Sequence, residues 1–186
     1  MRTKEEFGGK LIKARPLKLK IVLYRWNNIA FEIIEKVVRN RFSPNYKLTT
    51  GVDILTKDVE FRPEEIVTLS IWDIGAQQRF DFARSTFFKG ATGAILVFDL
   101  TKAESFEEVM EWLTEIRQFA GENIPFILIG NKADLIEDVG LVIDRDEAKS
   151  FAENEGGIYI EISTASIDVL EKAISEFTRK IIYSRT

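Results

Sequence analysis

The sequence predicts an α/β three-layer sandwich: a mostly parallel six-stranded sheet, one antiparallel edge strand, and helices on both faces. Three observations carry that prediction. Apolar runs and amphipathic stretches alternate through the second half of the chain, as strand and helix do around a parallel sheet. Apart from Asp99, the runs GAILVFDL (93–100) and PFILIG (125–130) are continuously apolar, the pattern of strands covered on both faces. Glycine and acidic caps punctuate the segments between them.

The elements follow in order. Residues 1–16 read as a basic N-terminal arm, with Arg2, Lys4, Lys10, Lys13 and Arg15 against Glu5 and Glu6, interrupted by Gly8-Gly9 and Pro16. Residues 17–186 read as one folded domain. Leu17, Leu19, Ile21 and Leu23 alternate at period two, which marks a strand. Ala30, Ile33, Ile34, Val37 and Val38 form a helical stripe ending near Asn40. Residues 51–61 and 66–72 flank the turn Arg62-Pro63-Glu64-Glu65 and read as an antiparallel hairpin. Ser105 and Glu108 have capping-box spacing, opening a helix to about Ala120. Asp144 and Glu147 cap another, which stops at Gly156-Gly157. IYIEI (158–162) is a strand. A final amphipathic helix runs from Ile167 to Ile182, with Val169, Leu170, Ala173, Ile174, Phe177 and Ile181 inward.

Composition limits the chemistry. The 186 residues are 45% hydrophobic and 30% charged, with a formal charge of −4, ordinary for one globular domain and without the general basic character of a nucleic-acid binder. Cysteine and histidine are both absent. That removes disulfides, Cys/His zinc sites, cysteine nucleophiles and His-based triads, and also prenyl or palmitoyl attachment to cysteine. With no signal-peptide pattern, the expected setting is cytoplasmic, with membrane contact at most peripheral and no lipid anchor.

In parallel sheets of this kind ligands bind at the carboxyl ends of the strands, and the informative residues gather there. After the strand ending at Gly130 stand Asn131, Lys132, Ala133 and Asp134. A carboxylate there can accept hydrogens from the N1 and N2 edge of guanine, and a lysine stem can cover the face of the base. Ser163, Thr164 and Ala165 follow the last strand, with amides able to reach the base oxygen. Asp73 to Gln77 follow the third, an acid suited to a metal shell and a glutamine able to orient water.

With these residues in place, the chain resembles a Ras-superfamily small GTPase of the Rab-like branch over roughly residues 17–182. NKAD (131–134) is similar to the guanine-specificity motif, and ISTA (162–165) to the third base loop. WDIGAQQRF (72–80) resembles switch II, and YKLTTGVDI (46–54) resembles switch I with its following strand. The resemblance implies the small-GTPase, P-loop NTPase-type fold. It also implies base contacts from Asn131, Lys132, Asp134, Ser163, Thr164 and Ala165, magnesium contacts from Thr49 and Asp73, and a catalytic position at Gln77. Ala76 departs from the family's glycine there; Gly75 comes one position early.

The phosphate loop departs furthest. The family's G-x-x-x-x-G-K-[ST] falls, by gapless count from Gly51, on Tyr24-Arg25-Trp26-Asn27-Asn28-Ile29-Ala30-Phe31. Tyr24 and Ile29 take the glycine positions, Ala30 the lysine and Phe31 the magnesium-binding hydroxyl. Loss of the lysine alone leaves a phosphate unpaired, at about 3–5 kcal/mol, a hundredfold or more in affinity. GTP hydrolysis by the family mechanism is not expected. Two fillings of the emptied site are open at this level. Arg25, Asn27 and Asn28 could substitute for the lost phosphate contacts; alternatively Tyr24, Trp26 and Phe31 could plug the hollow.

Two functions compete. One is a pseudo-GTPase that binds protein partners through its switch-like face, where Phe80, Phe82, Phe87 and Phe88 could contribute. The other is a divergent GTP/GDP-binding switch with weak or slow GTPase activity. An unrelated receiver-like α/β domain would need a phosphoacceptor aspartate near the end of the first strand, where Tyr24-Arg25 stand instead.

Overall fold

The computed structural model describes residues 16–38, 52–74, 84–135, 143–163 and 166–185, except the side chains of Asn28, residues 31–33 and Arg84. Among the described residues there are six strands: β1 (Leu17–Arg25), β2 (Asp53–Arg62), β3 (Glu65–Asp73), β4 (Gly93–Asp99), β5 (Phe126–Asn131) and β6 (Ile158–Ile162). The helices are α1 (Phe31–Val38), α2 (Arg84–Phe88), α3 (Ala103–Ala120), α4 (Arg145–Asn154) and α5 (Ile167–Ser184). The short helix α2 has no counterpart in the sequence reading, because its five residues span too little chain to show a period.

The sheet order is β2-β3-β1-β4-β5-β6. Among the described strands only β2 runs antiparallel, against β3, as the hairpin pattern predicts. Alternation along the strands sends side chains to two cores. Leu19, Ile21, Leu23, Leu69, Ile71, Val97 and Ile129 pack with α1 and α5 on one face. Val22, Tyr24, Leu96, Phe98, Phe126 and Leu128 pack with Phe88 and with α3 and α4 on the other. All seven residues of β4 are buried, which explains its apolar run up to Asp99.

Several local expectations are corrected. Ser105 is not the cap of α3. The helix begins two residues earlier, and the Ser105 hydroxyl is buried, donating toward the Lys102 and Asp99 carbonyls and accepting from the Asp99 amide. Val169 points to solvent rather than inward; the buried stripe of α5 starts at Leu170. Asp144 does cap α4, accepting from the amides of Asp146 and Glu147, and the chain leaves that helix through Gly156 at φ 76°. Among the described residues no helix is long and apolar enough to cross a membrane.

Candidate functional site

β1 has β3 on one side and β4 on the other, all parallel. Its carboxyl end is therefore the switch point of the sheet, where the crevice of such folds lies. Tyr24 and Arg25 occupy that end, and their side chains diverge because strand residues alternate between faces.

Tyr24 turns into the α3 core. Its ring stacks on Trp112 at 4.1 Å between centroids, and its hydroxyl donates to Glu108. Tyr24 therefore does not plug a phosphate hollow as one expectation had it; it is a core residue tying β1 to α3. Trp26 is half-buried, and the Phe31 side chain lies outside the described residues.

Arg25 turns to the other face. Leu23 is in register with Asp73, so Arg25, two residues on, projects beside the Asp73 carboxylate. The two form an ion pair with both side chains 4% exposed. A second nitrogen of Arg25 donates to the Ile29 carbonyl at 3.3 Å, drawing the following loop back over the strand end. That loop is a short 3-10 turn, Trp26–Asn28, then Ile29 and Ala30 leading into α1. Left-handed backbone falls on Asn27 (φ 45°) and Ala30 (φ 57°), while β-branched Ile29 stays extended at φ −62°. Asparagine tolerates that region; alanine does so at a cost of about 1 kcal/mol. Ile29 and Ala30 pack against the α1–α5 core, and the Asn27 side chain is exposed.

The base-loop residues surround a second buried carboxylate. Asp99, at the end of β4, has no solvent exposure. Its Oδ1 accepts from the amide and the hydroxyl of Thr101, at 2.9 and 2.6 Å, and Lys132 Nζ lies 2.5 Å from Oδ2. Burial alone would raise the Asp99 pKa. The hydrogen bonds from Lys132 and Thr101 outweigh it and hold the carboxyl below its ordinary value. Lys132 adopts φ 66° immediately after β5, and the Leu135 amide closes onto its carbonyl at 3.0 Å. Asn131 ends β5 half-buried, its carbonyl accepting from the Leu100 amide. Asp134 sits exposed in the 3-10 turn Ala133–Leu135. The Ser163 amide donates to Ser166 Oγ at 2.9 Å.

The structure thus brings Arg25 and Asp73 together, and places Asn131, Lys132, Asp134 and Ser163 at neighbouring strand ends. Thr49, Gln77, Thr164 and Ala165 lie outside the described residues, as do Phe80 and Phe82, and nothing is described of the Asn28 side chain. Phe88 is fully buried, which corrects its expected place on a docking surface. Sequence reasoning missed Asp99. The only available signal was an acid ending an otherwise apolar strand, where a charge must find a partner.

The residues at the β1 end do not fit a magnesium–polyphosphate group. The carboxylate that would approach the metal is engaged by an arginine of the same chain, and Ala30 and Phe31 supply neither cation nor hydroxyl. The residues at the β5 end do fit a guanine base: an exposed carboxylate and a tethered lysine stem stand together.

The Ras family model matches residues 32–183, beginning one residue past Phe31. The chain is 35% identical over 150 residues to the Ras-related protein RABA4b of Arabidopsis thaliana, covering 81% of this chain and 66% of the relative. It is 36% identical over 150 residues to the Ras-related protein Rab11A of Lotus japonicus, covering 81% and 65%. To the Ras-related protein RGP2 of Oryza sativa subsp. japonica it is 33% identical over 175 residues, covering 94% and 79%. The matched part spans just under two thirds of the length of the first two relatives.

Proposed function

The chain belongs to the Ras family, with a Rab-like small-GTPase fold, and we propose that it is a pseudo-GTPase: a cytoplasmic protein-interaction module without a GTP hydrolysis cycle. The observation that carries this reading is the buried Arg25–Asp73 ion pair. In a working member of the family, as the resemblance has it, that aspartate serves the metal, and a lysine at the position of Ala30 serves the phosphates. Here the carboxylate is neutralised from within, and the loop that would cradle phosphate folds its Ile29 and Ala30 onto the core. Hydrolysis through a metal-held phosphate has no seat in such an arrangement, so Gln77 is left without catalytic work.

The partner face in this proposal is the outer surface of β2 and β3. Trp72 and Ile54 are cross-strand neighbours, and Ile54 and Ile66 are large apolar side chains exposed on that surface. Lys20 Nζ sits 4.1 Å above the Trp72 ring and donates to the Lys89 carbonyl at 2.9 Å. This ties the exit of α2 to the sheet. An exposed apolar face of this kind suits binding to protein partners in trafficking or signalling.

The alternative, a divergent GTP/GDP switch, draws support from the Asp99–Lys132 arrangement of the base loop. Single-turnover assay with millimolar GTP and Mg²⁺ separates the two. The pseudo-GTPase releases no phosphate above the buffer rate, and its melting temperature is unchanged when EDTA replaces Mg²⁺. Magnesium-dependent phosphate release establishes the switch instead.

A further inference from the structure

Three segments of the chain meet at the amino end of the parallel sheet. β1 starts there at Leu17, α3 ends there to feed β5, and α4 ends there to feed β6. Between the two helix ends lies a polar cleft of about 710 Å³, lined chiefly by Arg117, Gln118, Glu122, Asn123, Asn154 and Glu155. It stands at the opposite pole of the sheet from Arg25 and Lys132. We infer that this cleft is the docking site of the chain's own basic segment, residues 1–15, held in cis through Lys10 and Lys13. The inference is independent of the nucleotide question and stands whether or not the chain hydrolyses GTP.

The cleft is short of positive charge. The last carbonyls of a helix have no partners within it and carry partial negative charge, and two helices end here. α4 has no basic residue in its last turn. α3 has one, Arg117, and that side chain is spent on α4. It pairs with the Glu155 carboxylate and donates to the Glu155 carbonyl at 3.0 Å. One cation therefore serves two helix ends and the carboxylates of Glu122 and Glu155. Gln118, Asn123 and Asn154 add neutral acceptors. A lysine ammonium carries donors for helix-end carbonyls and carboxylates alike.

Residues 1–15 supply what the cleft lacks. They carry Arg2, Lys4, Lys10, Lys13 and Arg15 against Glu5 and Glu6, with no acid between Phe7 and Arg15. The segment joins the fold at Pro16, on the same pole as the cleft. The sheet order puts β5 and β6 two and three strands from β1. That is about 10–15 Å at the usual strand spacing, and the helix layer adds about 10 Å. Lys10 stands six residues before Pro16, a span of up to about 20 Å, and its own side chain covers the remainder. Glu64 and Glu65 lie nearer to Leu17 in the exposed β2–β3 turn, but that turn joins two strands and offers no helix end.

The test is zero-length carbodiimide cross-linking of the full chain, followed by peptide mass spectrometry of the monomer band. Lys149 and Glu153, 4.0 Å apart on α4, are the internal control for coupling. The expected products join Lys10 or Lys13 to Glu122 or Glu155. Their yield is independent of protein concentration and falls several-fold in high salt, as an exposed charge contact does. Lys10→Glu with Lys13→Glu removes these products and shifts the amide NMR resonances of Gln118, Glu122, Asn123 and Asn154, while circular dichroism stays unchanged. Control coupling with no product from Lys10 or Lys13 to the cleft overturns the inference. Products confined to Glu64 and Glu65 overturn it in favour of the turn, and products found only between two chains in favour of a second copy. Unmoved resonances in the charge-reversed variant overturn it as well.

Discussion

Arg25 and Asp73 meet at the carboxyl ends of two adjacent parallel strands, each side chain 4% exposed, in an ion pair that the strand register itself dictates. An arginine two residues beyond the register partner of an acid falls on the same face of the sheet, so the pair forms as soon as β1 and β3 align. Such buried pairs contribute little net stability compared with well-packed apolar side chains, yet breaking one from a single side is costly. The pair therefore locks the site more than it strengthens the fold.

Arg25→Ala removes a buried counter-charge of Asp73 and lowers stability by about 3–5 kcal/mol. The double substitution Arg25→Met with Asp73→Leu returns most of that loss, because both buried charges are gone. Urea unfolding of the single and double variants measures the coupling. An equal loss in Arg25→Ala and in the double variant contradicts the assignment.

Restoring glycine at position 24 does not restore a phosphate loop. Tyr24→Gly empties the core between Trp112, Phe88 and Leu96 and lowers stability by about 3–5 kcal/mol, as aromatic deletions do. Tyr24→Phe keeps the stack on Trp112 and loses the bond to Glu108, at about 1–3 kcal/mol. Thermal unfolding of the two variants orders them.

Acid should loosen the base loop. Asp99 titrates below its ordinary value in the folded chain, so in the unfolded state it takes up its proton at higher pH, about 3.9. Its contribution to stability is fully present above that value and lost as pH falls through the depressed folded value. Asp99→Asn is less stable than the parent at neutral pH and shows a shallower fall in stability below about pH 4, read from urea midpoints across the range.

The sheet was legible because its strands carry the two simplest patterns: the apolar runs that make up most of β4 and β5, and the alternation of β1. The retained motifs directed attention to the ends of β5 and β6 as well, where Asn131, Lys132, Asp134 and Ser163 stand. The phosphate end was legible as a set of substitutions but not as a geometry. The sequence offered Arg25 as a replacement phosphate contact and Tyr24 as a plug. Which residue turns to which face depends on where β1 stops alternating, and neither preference nor spacing fixes that at a strand end. Long-range partners were equally hidden. Asp99 lies 33 positions from Lys132 and Tyr24 lies 84 from Glu108, and only the folded sheet brings them together. Ser105 shows the same limit at short range, since its capping spacing was overridden by a buried bond to Asp99.

The most direct test of the central claim is the nucleotide content of freshly purified protein. The chain is denatured and removed, and released GDP and GTP are quantified by ion-pair chromatography against protein concentration. With Arg25 seated on Asp73, the expected content is far below one nucleotide per chain, with or without Mg²⁺ throughout purification. Guanine di- or triphosphate recovered at close to one per chain, and lost when Mg²⁺ is chelated, would contradict it.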